Sequence, residues 1–545
     1  MASAAQPAAR TDTSMRTLLR STGVVAGIRG LDFGLSFLVS VLLAGRFGAS
    51  GQLDAFFLAR RTTVGFADTI RKLVGQVVLP PVIAAVDRGE APSVHALPRR
   101  IWWFLGVFAL LMFTGTLVPS ILVSAFAPGF TGARHDLAAT MMAIMMPLLP
   151  IAVVASLLAA VLQAKQRYLL SEGTNLVQRA ILVAVLALLV PPLGIVAGAW
   201  TMLASGAVGL AILFAGAWSL VRHRPASLAG AGRSDAPLAT DAAAPAPPGG
   251  TLGGGLVAAI VINVYYQATA LMDFAWASTA ASGSVAALEY GARLVSLVPG
   301  LVMSSLYTVL LPELVRAVRD PDPVRAAAGI QRYQRIAFFG QLPVSVGMML
   351  GAPIMVGALF GHGAFDARGI GLAASATAGY AAAAIFLAPF GATTSAIYAD
   401  PRGPCLRDLS IIAGGGLALR AGALAIATPA WGVAGIAWAA ALSTLLGAVL
   451  AQAVAVRRFK GFDMSEQLRD FAASALCAAV ATAAGWCLLA IVPSTAGLVG
   501  QLARLAGLGA VILATYAAAG LALRVPEVAA VRDIIGKRLR KRRKA

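Results

Sequence analysis

The chain has 545 residues, 59% of them hydrophobic and 12% charged, with a formal net charge of +20. A soluble domain carries about 25% charged residues, so this composition excludes a water-soluble globular protein. The long unbroken hydrophobic runs exclude a transmembrane β-barrel, whose segments are short and alternating. The basic excess fits the cytoplasmic loops of a polytopic membrane protein under the positive-inside rule, not a nucleic-acid partner.

Residues 1–21 lack the apolar core of a signal peptide and read as a basic cytoplasmic tail. Fourteen hydrophobic segments follow, near 22–45, 53–86, 101–126, 137–163, 169–190, 193–221, 252–276, 284–316, 333–360, 369–397, 408–428, 432–456, 469–492 and 500–524. Each approaches or exceeds the ~20 residues that cross ~30 Å of hydrocarbon as a helix. The second and eighth are long and interrupted by polar residues. The first six fill 22–221. A stretch rich in Ala, Pro, Gly and Ser over 222–251 cannot bury a core and is expected to be a flexible cytoplasmic linker. Six more segments fill 252–456, two more fill 469–524, and 525–545 is a basic tail whose "KRLRKRRKA" suits anionic headgroups. Arg and Lys gather in connections after even-numbered segments, which predicts cytoplasmic termini. The fold class expected is an all-α integral membrane protein.

The two sets of six segments resemble each other. One shift lays "LARRTTVGFADTIRKLVGQVVLPPVIAAVDR" (58–88) on "YGARLVSLVPGLVMSSLYTVLLPELVRAVRD" (290–320), with Arg61 on Arg293 and "VLPP" on "LLPE". "ILVSAFAPGFTGAR" (121–134) likewise matches "IMVGALFGHGAFDAR" (354–368) with one extra residue. Two six-helix lobes in a parallel pseudo-twofold repeat, plus two C-terminal helices, make a transporter architecture.

Charges inside such segments cost roughly 2.5–3.5 kcal/mol each on insertion scales, so they face a cavity or a partner. Arg29 and Asp32 sit at i and i+3 of the first segment, as a local ion pair or a cavity wall. The second segment carries Asp54, Arg60, Arg61, Asp68, Arg71 and Lys72, too many for lipid. Asp54 is either an acid at its own helix N-terminus or functional; Arg61, Arg71 and Lys72 read as cavity lining. Glu289 and Arg293 sit at i and i+4, as a self-neutralising pair or a cavity pair, and the repeat of Arg61 in Arg293 favours the cavity. Pro299-Gly300 reads as a bend in that helix. Asp273 stands alone in the seventh segment, as a cation or proton site or as a partner for Arg293. The sum is a basic cavity from Arg29, Arg61, Arg71, Lys72 and Arg293, which suits a phosphate-bearing cargo.

No P-loop, HExxH or GxSxG signature occurs. The cysteines Cys405, Cys477 and Cys487 and the four histidines lack metal spacing, so neither enzyme chemistry nor a cofactor is expected. A multidrug or cation antiporter predicts dominant cavity acids. A membrane polymerase or ligase predicts a large periplasmic loop with catalytic residues.

"FGASGQLDAFFLARR" (47–61), "FAPGF" (126–130), "GSVAALEYGARLVSLVPGLVMSSLYTVLLPEL" (283–314) and "LFGHGAFDARG" (359–369) resemble the MurJ/MviN lipid II flippases of the multidrug/oligosaccharidyl-lipid/polysaccharide exporter superfamily. The resemblance implies alternating access, a cationic central cavity for a lipid-linked diphosphate saccharide, and a groove for the lipid tail from the last two helices. It implies a bacterial inner-membrane location, with membrane lipids and cell-envelope biosynthesis enzymes as partners. It carries a functional arginine onto Arg293 and a motif aspartate onto Asp54, and Arg61 and Arg293 are expected to hold the diphosphate from opposite lobes, assisted by Arg29 and Arg71. Against the family pattern, Val39 and Ser40 stand where the first helix has a second arginine and an acid, and Ala292 stands where an acid precedes the eighth-helix arginine. The eleventh segment, "SIIAGGGLALRAGALAIA" (410–427), is read as offering no polar partner for the sodium site proposed for some members. A flippase for another undecaprenyl-diphosphate-linked oligosaccharide fits these substitutions as well.

Overall fold

The structure is a computed structural model and describes residues 27–28, 30–79, 82–83, 103, 106, 110, 117–165, 167–188, 194–222, 252–320, 322–402, 405–493 and 497–527. Arg29, the 223–251 part of the linker and most of both tails and of the third segment lie outside these residues, as do the side chains of Pro299 and Gly300.

Among the described residues the chain forms fourteen helices and no strand. In chain order they are α1 (Gly30–Phe47), α2 (Gly51–Val77), α3 (Pro119–Phe126), α4 (Ala133–Met145), α5 (Leu148–Ala164), α6 (Tyr168–Leu188) and α7 (Val196–Arg222). They continue as α8 (Leu252–Thr279), α9 (Ser284–Arg319), α10 (Pro323–Phe360), α11 (Ala367–Ala399), α12 (Cys405–Arg458), α13 (Met464–Ile491) and α14 (Leu498–Ala522). Ten described spans are long and apolar enough to cross a membrane, with α4 and α5 forming one such span across Pro147. The charged helix α2 is not among them, as its charges predict. The protein is an all-α, multi-pass membrane protein. Large apolar side chains such as Trp486, Ile491 and Val499 stand on its surface, which hydrocarbon tolerates and water does not.

Helix ends follow local chemistry. Asp322, Asp366 and Asp463 are N-caps of α10, α11 and α13, each accepting a backbone N–H of the first turn. The amide of Glu466 holds the Asp463 carboxyl below its ordinary value, because the hydrogen bond favours the charged form. The segments expected at 408–428 and 432–456 form the single element α12, which Gly432 breaks at φ 55° and ψ −129°. Its two legs fold back antiparallel: a Cβ on Gly435 would lie 2.0 Å from the Ala427 carbonyl oxygen, and Arg420 donates to Ser443 Oγ at 3.0 Å.

The chain divides into two compact units. The first comprises residues 1–43, 59–123 and 132–243, the second 44–58, 124–131 and 244–545. The turn leading into α2 and the "FAPGF" stretch therefore pack with the second unit. Within that unit small residues permit close helix approach, as membrane packing favours: a Cβ on Gly291 of α9 would meet Ala376 and Thr377 of α11 at under 3 Å, and one on Gly379 of α11 would meet Ala437 of α12 likewise. Helices α13 and α14 join α10 through buried Phe338, Leu342, Cys477, Leu508, Ile512 and Tyr516. A polar ring links α10 to α11, α12 and α13. Gln334 donates to Thr393 and Gln452, Gln452 to Gln467, and Gln467 back to Gln334. Each buried amide is thereby paired, which removes the cost of burying it.

Candidate functional site

Within the second unit, residues 47–58, 126–130, the start of α9 over 283–290 and 359–369 pack together. Gly129 N donates to Ser278 Oγ at 3.0 Å, and Ala364 N donates to the Gly45 carbonyl at 2.8 Å. Helix α9 begins at Gly283, which has φ 90° and no side-chain cap of its own. Its cap comes from α2: Asp54 Oδ2 accepts Gly283 N at 2.7 Å and Oδ1 accepts Ala286 N at 2.8 Å. Asp54 is 1% exposed, so this carboxylate exchanges water for two backbone donors and the positive end of the α9 dipole. The acid does serve a helix N-terminus, but that of another helix. Beside it, Tyr290 lies in an aromatic nest of Phe57, Phe360 and Phe365, with ring centroids 4.9–5.5 Å away.

Gly283 is needed twice over, for its left-handed φ and for space: a Cβ there would sit 2.2 Å from the Ala49 carbonyl oxygen. Gly283→Val should therefore lower stability by about 3 kcal/mol or more. Gly371→Ala, where a Cβ meets nothing within 4 Å, should leave it unchanged. Thermal unfolding in detergent checks both.

The anchored end of α9 carries the candidate cargo residues. Glu289 and Arg293 are both half-buried, one turn apart on one face. In the first unit, Arg61 is half-buried on α2 and shares a stripe with Asp68 and Lys72, seven and eleven residues on. Arg71 is exposed and pairs with Asp68 at 3.2 Å. Asp32 pairs with Arg179 of α6 at 3.6 Å, and Arg179 is also within electrostatic reach of Arg60, Asp68 and Arg71. The expected pairing of Asp32 with Arg29 involves a residue outside those described.

One expectation is overturned. Asp273 of α8 is neither solitary nor a partner of Arg293. Its carboxylate accepts Arg420 Nε at 3.0 Å and Arg420 Nη2 on both oxygens, and Tyr380 donates to Oδ2 at 2.9 Å. Arg420 belongs to the 410–427 segment that the sequence reading took as empty of polar partners. It and Arg179 are the site-bearing residues that reading missed. Both are single arginines in apolar runs, the same signal that drew attention to Arg293. Among the described residues no group of three His, Cys, Asp or Glu could hold a metal.

The family model for the lipid II flippase MurJ matches residues 43–506. A lipid II flippase MurJ of Burkholderia cenocepacia is 25% identical over 378 residues, covering 67% of this chain and 70% of that one. Probable lipid II flippases MurJ of Rhizobium meliloti and Rhizobium tropici are 25% and 24% identical, and the chain spans 61% and 63% of their lengths. Among solved structures, a lipid II flippase MurJ in an inward closed conformation superposes with TM-score 0.66 at 15% identity, over 90% of this chain and 98% of that one. An inward-facing multidrug resistance MATE family transporter superposes with TM-score 0.57 at 14% identity, over 78% of this chain and 93% of that one. At these identities the two structures speak for the fold alone.

Proposed function

Because this chain belongs to the lipid II flippase MurJ family, we propose that it carries a polyprenyl-diphosphate-linked saccharide of the lipid II type from the inner to the outer leaflet of the bacterial cytoplasmic membrane. Two six-helix lobes, 22–221 and 252–456, alternate access to a shared basic cavity. Both termini face the cytoplasm, and the helices of 469–524 take the lipid tail. No bond of the cargo is made or broken, so the protein acts as a transporter and not as an enzyme.

The observation that carries this reading is the repeated arginine. Arg61 and Arg293 occupy matched positions on two polar helices in an otherwise apolar chain, and both are half-buried. A guanidinium offers paired donors to phosphate oxygens, and a diphosphate offers oxygens to two such groups. Glu289, one turn from Arg293, orients that guanidinium or accepts a sugar hydroxyl. Arg29 and Arg71 add long-range positive charge. A multidrug or cation antiporter would need free cavity acids. Asp54 is committed to two amides and Asp273 to Arg420, which weighs against it.

Complementation tests the cargo. Expression of this chain should restore growth to cells depleted of their lipid II flippase. Failure there, with rescue of a strain lacking an exopolysaccharide flippase, would move the cargo to another polyprenyl-linked oligosaccharide.

A further inference from the structure

The buried cluster around Asp273 lies outside the residues proposed to hold the diphosphate, and it joins three helices. Asp273 lies on α8, Tyr380 on α11, and Arg420 and Ser443 on the two legs of α12. Asp273 and Arg420 are 3% and 6% exposed. The guanidinium covers both carboxylate oxygens, and its remaining nitrogen Nη1 donates to Ser443 Oγ at 3.0 Å. Tyr265, another neighbour of Arg420, packs its ring on Gly416 one turn earlier in α12. A buried acid in a membrane helix either pairs with another group or marks a path for an ion or a proton. Here a cation is already bound, and it is covalently part of the chain.

We propose that Arg420 is a resident counter-cation, which fills the place a mobile monovalent cation would take at Asp273, so that the second unit completes its cycle without exchanging a cation there. Asp273, Tyr380 and Ser443 form an oxygen-lined socket, of the donor type that suits a hard cation. A free ion would have to displace a side chain tethered in place with three hydrogen bonds to the same carboxylate. The pair also ties α8 to the first leg of α12, and through Ser443 to the second, since neither charge is left alone in a dry interior. The inference concerns the charge of the second unit and not the cargo, and its readout needs no lipid II.

Thermal unfolding of the purified full-length protein, in sodium, lithium or choline chloride at equal ionic strength, tests it. The wild type should show no cation-specific shift. Arg420→Ala should unfold at lower temperature in choline and regain roughly 5 °C or more at saturating sodium, or with millimolar guanidinium ion. Adding Asp273→Asn to that variant should abolish the regain. The neutral pair Asp273→Asn/Arg420→Gln should fold and ignore cations. A saturable sodium shift in the wild type overturns the proposal. So does a folded Arg420→Ala that gains from no added cation, or an Arg420→Ala that fails to fold in every salt while the neutral pair folds.

Discussion

Asp54→Ala should cost about 3 kcal/mol of stability, read as a lower unfolding temperature in detergent and as faster exchange of the 283 and 286 amide hydrogens. The carboxylate makes two short hydrogen bonds to the first turn of α9, each charge-assisted and each worth about 1.5–3 kcal/mol when the partner is charged. Alanine would leave both amides without their acceptor in a site that is 1% exposed. Asp54→Asn should fall between, since one amide oxygen can replace one carboxylate oxygen while the NH2 group meets the other backbone N–H. This separates two roles for the residue. A cap loses stability and transport together, whereas a group that touches only cargo would lose transport with the unfolding temperature unchanged.

Arg293→Ala should abolish cargo movement while leaving the protein folded. The side chain is half-buried, and the change in stability should stay within about 1 kcal/mol. Arg293→Lys keeps the charge but not the planar fork, and should reduce transport by about tenfold or more. Arg61→Ala should behave like Arg293→Ala, because the repeat gives the two residues the same task. Arg71→Ala should be milder: Arg71 is exposed and already spends part of its charge on Asp68. Initial rates of flipping, normalised to the amount of monodisperse protein, check all four.

The helices were legible because hydrocarbon leaves a one-dimensional mark: a run of about 20 apolar residues must be a helix, since no other open structure satisfies its backbone in lipid. The polar interruptions in α2 and α9 were legible for the same reason. The partners of the charges were less so. Asp54 read as an acid at the start of its own helix, but a cap on α9 depends on a turn more than two hundred residues away. Asp273 read as solitary because its neighbours along the chain are apolar, and Arg420, 147 residues on, was passed over within its Ala- and Gly-rich surroundings. Arg179 was passed over in the same way. The rule that an intramembrane charge needs a partner held for both acids; the sequence does not say which of several arginines supplies it.

The central claim is that guanidinium groups from the two repeats move a polyprenyl diphosphate across the bilayer. Its most direct test is flipping of fluorescent lipid II by the purified protein in proteoliposomes, beside the Arg61→Ala/Arg293→Ala variant. The account predicts time-dependent appearance of lipid II in the opposite leaflet with wild-type protein, and none above protein-free vesicles with the double variant. Equal flipping by both proteins would contradict it.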